Sequence, residues 1–536
     1  MPRGNVRFQL AETVGVLTRP RSAAAMTELF APIDQLLVSG GDQRLAINSV
    51  SYLNEYGCQS TPCVDMPSFS SSTATSISPR AYARAEVARQ VLMQSAIDIG
   101  VEAAFDERME EMRDELRSHL GLTSTLADVV FSPSGTDSQL QSLVIARMLL
   151  GPDLVTVVVA ADQTGSGTVN TARGCHFGVT TANGTHVQKG EPIAGLAQSV
   201  TSVALPLFDE TGEARCATSG DLRVFDAVER AVAGGGKVLL QVMDSSKFGW
   251  RAPSDACLDA ITARWRNDVQ IVVDACQMRL GRARLKRYLE RGYLVIVTGS
   301  KFFTGPPFSG AVLVPGSLAR HIDAGNVPQG FLEYSSRSDW PQNWPNLRAH
   351  CPVRENFGQW LRWEAALEEI GAYYRVPDSF RRSVLTTFGQ AVQKLIALSP
   401  SLELLPWQNR EPDAADEELA QRTIFSFVIR AHGRVLSLPE CRTLYRALAG
   451  QDTSCLGKPA RACLIGQPVV LGRASSLRAA LRISTSARLV SEAWSSDAAT
   501  AQQNVQRAIE DVASAISTLE SLLANDIKTA DTRYGS

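Results

Sequence analysis

Asp274 and Lys301 stand 27 residues apart (274 to 301), each at the end of a short apolar run. Val269-Gln-Ile-Val-Val-Asp274 reads as a buried strand closed by a carboxylate, and Leu294-Val-Ile-Val-Thr298 leads through Gly299-Ser300 into Lys301. In open α/β sheets, ligands bind at the C-terminal edge of the strands. An acid and an amine presented together at that edge suit pyridoxal phosphate. The amine forms the Schiff base, and the acid keeps the pyridine nitrogen protonated so that the ring acts as an electron sink. A lysine held there is partly desolvated, which lowers its pKa and makes it a nucleophile. The ordinary alternatives are a solvated loop lysine and an acid that only caps a helix. The apolar runs on both sides of Lys301 argue against them.

A second group could hold the phosphate. Val129-Val-Phe-Ser-Pro-Ser134-Gly135-Thr136-Asp137 is a strand, a tight polar turn and the start of a helix. Helix-start N–H groups with the Ser134 and Thr136 hydroxyls make an anion site, although the same cluster would also serve as a plain N-cap. Arg482, in Leu481-Arg482-Ile-Ser484, lies in a further apolar-flanked run. A guanidinium fork pairs bidentately with a carboxylate.

The elements that must position these residues alternate. Apolar runs at 129–131, 154–160, 237–242, 270–274, 294–298 and 310–314 are separated by helical stretches, which predicts a largely parallel sheet covered on both faces. Residues 1–80 read as an irregular N-terminal arm with one helix near 22–38. A large domain follows over 81–352, with 326–352 as a long loop at its border. A smaller α+β C-terminal domain spans 353–527, with strands near 423–430, 467–471 and 478–484, and 528–536 reads as a disordered tail. The loops 60–80, 162–186 and 326–352 are where substrate selectivity is expected.

In order and spacing, Ser134-Gly135-Thr136, then Asp274-x-x-Gln277, then Lys301 resembles the fold type I pyridoxal-phosphate enzymes, closest to the class V aminotransferase and cysteine desulfurase branch. The resemblance covers about residues 125–490. It implies the aspartate aminotransferase-like fold and pyridoxal 5'-phosphate as cofactor. Gly135 and Thr136 would hold the phosphate together with Ser134 and Ser300, Asp274 would meet the ring nitrogen, and Gln277 would approach the ring hydroxyl. Lys301 would carry the Schiff base, Ser246 would lie in a polar turn facing the ring, and Arg482 would take the substrate α-carboxylate. The branch has histidine before its lysine, where this chain has Ser300. It also stacks a histidine or aromatic residue on the ring, where this chain offers Gln163 or Thr164; His176 nearby reads as structural.

Those departures leave the reaction open. Aminotransferase or group-transfer chemistry on an amino acid or amine leads. A lyase or desulfurase-like sulfur transfer using Cys455, 27 residues before Arg482 (455 to 482), is the second enzyme reading, and a catalytically silent homologue is the third. The resemblance also implies a homodimer, for which the apolar N-terminal arm and the Trp-rich segment 340–363 offer anchors.

The bulk composition fits. In 536 residues, 44% are hydrophobic and 20% charged, and the net charge of −2 gives no footprint for nucleic acid or an anionic membrane. No apolar run approaches a membrane span. Ten scattered cysteines without a CxxC pair are expected to be reduced thiols of a cytoplasmic protein, and six histidines make a zinc site improbable.

Overall fold

The computed structural model describes residues 21–407, 418–431, 433–451, 456, 459, 461–472 and 478–534. Two sheets organise them. The strands in chain order are β1 (Ser68–Phe69), β2 (Ala127–Ser132), β3 (Leu154–Val159), β4 (Val200–Leu205), β5 (Lys237–Met243), β6 (Val269–Asp274), β7 (Leu294–Thr298), β8 (Gly310–Pro315), β9 (Leu402–Leu404), β10 (Ile424–Ala431), β11 (Arg434–Val435), β12 (Leu464–Val470) and β13 (Ala479–Ser484). The larger sheet has seven strands in the order β2-β8-β7-β6-β5-β3-β4, and only β8 runs against the others. The smaller sheet has the order β1-β12-β13-β10-β11, with β9 also on β10. The fold class read from the sequence, a mostly parallel covered sheet followed by a smaller α+β unit, is the one observed.

The period-2 geometry of strands explains the unbroken apolar runs. Ile271, Val273, Val295 and Val297 face one core, while Val272, Leu294 and Ile296 face the other. Both faces are covered, so nearly every position is apolar, with Thr156, Gln241 and Gln270 the buried exceptions in β3, β5 and β6. Strand β4 has no such signature. It lies at the sheet edge, bonded to β3 alone, with Thr201, Ala204 and part of Val203 exposed, and the sequence pattern passed over it. The helical stretch from 80 to 120 is two helices, Pro79–Ile99 and Val101–Leu120, broken at Gly100, whose φ of 87° no L side chain adopts comfortably. The early helix near 22–38 is likewise two pieces, Arg21–Leu29 and Ile33–Leu36, separated at Pro32. The last helix spans Ala498–Tyr534, so it takes in most of the expected tail. Among the described residues, no helix is long and apolar enough to cross a membrane.

Within residues 21–80, β1 pairs in parallel with β12, and the polar run Ser70–Ser78 is almost wholly buried. One expectation needs correction: the Trp-rich segment cannot anchor a partner. Trp340, Trp344, Trp360 and Trp363 are fully buried inside this chain, and 326–352 is folded into the core through short helical turns rather than being an open loop.

The helix Phe357–Arg375 carries Glu364, buried, which accepts from Arg108 Nε (2.6 Å), Arg84 Nη2 (3.0 Å) and Trp360 Nε1 (3.1 Å). Glu364→Ala leaves Arg84 with Glu115 (2.7 Å) and Arg108 with Glu111 (2.7 Å), but takes the acceptor from the buried Trp360 Nε1. It is expected to cost about 1–3 kcal/mol, the penalty for a buried donor left unsatisfied, read as a lowered melting temperature. A variant that melts with the wild type would show that the cluster contributes nothing.

Candidate active site

Asp274 ends β6 and Lys301 follows β7, the neighbouring parallel strand, so register alone brings them to the same edge of the sheet. Asp274 is buried. One carboxylate oxygen accepts from the Cys276 N–H (3.0 Å) and the other from Gln139 Nε2 (2.9 Å), on the helix Gly135–Leu150. Burial raises its pKa from the ordinary carboxylate range. Lys301 donates from Nζ to the Thr73 carbonyl (3.0 Å). Burial pushes its ammonium down to about 8, with Arg482 and Arg44 acting in the same direction and the Cys276 and Asp274 side chains against it. Gly299, before it, packs against the helix Phe357–Arg375: a Cβ there would stand 2.4 Å from that of Ala366. The small residue lets β7 deliver its lysine under a covering helix.

The edge is strained as functional edges often are. Ala160 after β3, Met278 after β6, and Thr304 and Phe308 after β7 have φ of 53°, 50°, 59° and 72°; Tyr52 is the other non-glycine residue with positive φ among those described.

These residues line one cavity of about 550 Å³ between the two sheets, with Arg44, Thr136, Gln163, Ser245, Lys247 and Arg482 among its walls. Of the predicted positions, Ser134, Gly135, Thr136, Gln163, Asp274, Gln277, Ser300, Lys301 and Arg482 all reach it. Ser246 does not. Its hydroxyl accepts from the Phe248 and Trp250 N–H groups (3.1 and 3.2 Å) and closes its own turn, while Ser245 lines the cavity instead. Ser134 lines it but is an N-cap: its hydroxyl accepts from the Thr136 and Asp137 N–H groups and donates to the Asp137 carboxylate (2.5 Å). The Thr136 hydroxyl remains, with Arg44 Nη1 3.4 Å from it. Gly135 packs so closely on Cys276 that a Cβ would lie 2.7 Å from its sulfur.

Arg482 is buried on β13 and not a surface arginine. It donates to the Ser72, Lys247 and Gln467 carbonyls (3.3, 3.4 and 2.8 Å) and to the Thr73 hydroxyl (2.9 Å), yet meets no carboxylate among the described residues. Burial pushes its pKa down to about 10. The Ser72 carbonyl also accepts from Gln277 Nε2 (3.0 Å). The strap Ser70–Ser78, from the far end of the chain, therefore holds Gln277, Lys301 and Arg482 together through two backbone carbonyls and a hydroxyl. Sequence reasoning missed this strap, and Gln139, Arg44 and Lys247 with it. His176 does not line the cavity, and its Nδ1 lies 2.7 Å from the Tyr334 hydroxyl. Cys455, the candidate for sulfur chemistry, lies outside the described residues.

The donor set fits pyridoxal phosphate. Gln139 Oε1, both amide atoms of Gln163, Ser245 Oγ, Gln277 Oε1 and Arg482 Nε are buried without a hydrogen-bond partner among the described residues, and all five side chains line the same cavity. Buried polar groups are ordinarily paired, so five orphans converging on one space call for a polar ligand. A desolvated amine, a buried carboxylate, and a helix N-terminus reinforced by Arg44 match the cofactor's aldehyde, ring nitrogen and phosphate. No group of His, Cys, Asp and Glu among the described residues could hold a metal ion.

No family model matches the chain, and no curated protein matches it either. Solved structures do. A NifS-like protein from Rickettsia africae is 11% identical with a TM-score of 0.45, covering 85% of this chain and 99% of that one. A phosphoserine aminotransferase from Cytophaga hutchinsonii is 12% identical at 0.44, covering 82% and 98%. Oryza sativa TDC, solved with PLP and tryptamine, is 14% identical at 0.45, covering 84% of each. Likenesses this distant say nothing about what this chain binds.

Proposed function

We propose that this chain is a fold type I pyridoxal-phosphate enzyme of the class V aminotransferase-like branch, acting at the α-carbon of an amino acid by aminotransferase or group-transfer chemistry. The observation that carries it is the delivery of Asp274 and Lys301 from adjacent strand ends into one cavity, the acid buried and the amine held down to about 8. When bound there, pyridoxal phosphate supplies an electron sink for bond breaking at the α-carbon. Lys301 is its covalent attachment point. Its amine, once free, is the base placed to move the α-proton. Asp274 holds a proton on the ring nitrogen, with Gln139 and the Cys276 N–H fixing the carboxylate. Gln277 Oε1 and the Gln163 amide are the polar groups available to the ring. Thr136, Gly135, Ser300 and Arg44 surround the phosphate position. Arg482 orients the substrate through its α-carboxylate.

The protein is expected to take up pyridoxal phosphate with a visible absorption band that shifts on adding amino acids, and borohydride is expected to fix a pyridoxyl group on Lys301. Failure to take up the cofactor at saturating concentration would sink the reading. For Arg482, replacement by lysine keeps the charge and loses the fork. KM for the amino acid should rise roughly tenfold, about 1.4 kcal/mol, while cofactor affinity holds. Loss of both affinities together would make Arg482 structural.

A further inference from the structure

Arg482, which takes the substrate carboxylate in that reading, has no accessible donor to spare for one. A guanidinium carries five N–H groups, one on Nε and two on each Nη. Nη1 donates to the Ser72 and Lys247 carbonyls (3.3 and 3.4 Å), and Nη2 to the Gln467 carbonyl (2.8 Å) and the Thr73 hydroxyl (2.9 Å). Nε is buried against Gly466, where an added Cβ would stand 3.2 Å from it. A carboxylate therefore reaches this guanidinium only by displacing an acceptor.

Three of the four acceptors are backbone carbonyls, fixed by the course of the chain. The fourth, the Thr73 hydroxyl, is removed by a rotation about χ1. Thr73 lines the cavity, as do Gln467 and Arg482. The Thr73 oxygen accepts from two donors, Arg482 Nη2 and the Gln467 N–H (3.1 Å). The register of β12 on β13 shifts between Gly466 and Val469, and Gln467 lies inside that shift, so its N–H serves the hydroxyl and not the ladder. An oxygen standing where Thr73 Oγ1 stands thus meets a cation and a backbone N–H, a pair suited to a carboxylate. The carbonyl of the same residue accepts from Lys301 Nζ (3.0 Å). One residue spans the gap from the lysine to the arginine, and an α-carboxylate is as close to its own amino group.

We infer that the Thr73 hydroxyl occupies the position of the substrate's α-carboxylate, which turns it aside on binding and takes over its two donors, Arg482 Nη2 and the Gln467 N–H. The inference rests on the function proposed above. It makes Gln467 a substrate-binding residue through its backbone, and Thr73 the residue that sets the cost of admitting a carboxylate.

The test uses the full-length protein with its cofactor fixed by borohydride, and acetate as the probe, followed at neutral pH by carbon NMR of its labelled carboxylate. Thr73→Val keeps the shape of threonine without the hydroxyl, so acetate has no acceptor to displace. It is expected to bind acetate roughly tenfold or more tightly than wild type. It should also melt below wild type, since two donors lose their acceptor, and regain more than wild type from saturating acetate. Thr73→Ser should bind acetate as wild type does. Thr73→Ala, which also lacks the hydroxyl, repeats the test if the valine variant does not fold. Equal or weaker binding in the variants without the hydroxyl would overturn the proposal. So would acetate that binds neither wild type nor variant, or a tightening that persists when Arg482→Lys is added. If borohydride leaves no pyridoxyl group on Lys301, the cofactor reading has failed separately. The same titrations on the untreated protein then decide Thr73 by the same outcomes.

Discussion

Lys301→Ala is expected to abolish turnover and to leave no borohydride-stable pyridoxyl group on any peptide, while the fold survives. The lysine is half-buried among polar partners rather than packed as core, and its one hydrogen bond among the described residues, to the Thr73 carbonyl, is not part of either sheet. Two losses add. The covalent attachment disappears, and so does the base for the α-proton, which alone is worth about 10²–10⁴-fold. The depressed pKa gives a second readout. The ammonium of an ordinary lysine loses its proton only near 10.4, whereas Lys301 does so near 8. Capture of pyridoxal phosphate by the cofactor-free wild type should therefore quicken as pH rises and level off just above 8, because the unprotonated amine is the reacting form. A rate still climbing steeply above pH 9 would mean that the amine is not desolvated in solution. A pyridoxyl group found on Lys247, the other amine lining the cavity, would move the attachment point.

The residues legible in the sequence are those whose local pattern carries the information. Asp274 and Lys301 stand out because central parallel strands are almost wholly apolar, so charged residues at or just past the end of each run mark the sheet edge. Arg482 is visible for another reason, as a charged residue inside the apolar run of β13, which pairs antiparallel with β10 and β12. The turn after β5 holds two adjacent serines, Ser245 and Ser246, and which one faces the cavity depends on the hairpin between Ser246 and Trp250 (2.8 Å), not on residue type. The strap Ser70–Ser78 reads as a polar linker. Its burial comes from hydroxyls satisfied by distant groups, such as Ser71 Oγ on the Thr485 carbonyl (2.9 Å) and Ser484 Oγ on Ser72 Oγ (2.8 Å), and local sequence does not announce such pairings. Its contribution to the site is two carbonyls and a hydroxyl, and carbonyls are the same in every residue. Gln139 and Lys247 are hidden differently. Each is an ordinary surface-type residue until the two sheets close over it.

Asp274→Asn separates the charge of that carboxylate from its shape. The amide oxygen can keep the Cys276 N–H, and Gln139, whose Oε1 is buried without a partner, can turn its amide to accept where it now donates. The fold is therefore expected to hold. Its stability at neutral pH should even rise slightly without cofactor, by the following linkage. Burial raises the folded-state pKa of Asp274, so the folded protein binds that proton more tightly than the unfolded chain. The acid thus costs stability as pH climbs past its unfolded value, and an asparagine removes that cost. What is lost is the anion facing the ring nitrogen. With no carboxylate to hold that proton, the electron sink fails, and turnover should fall by roughly 10²–10³-fold or more, the range for removing one preorganised electrostatic partner of a reacting charge. Melting curves of the cofactor-free proteins, cofactor titrations and turnover together decide the matter. Near-normal turnover with a normal melting curve would remove Asp274 from the chemistry. Loss of the fold would make it structural, and the orphaned polar atoms around it would then need another explanation.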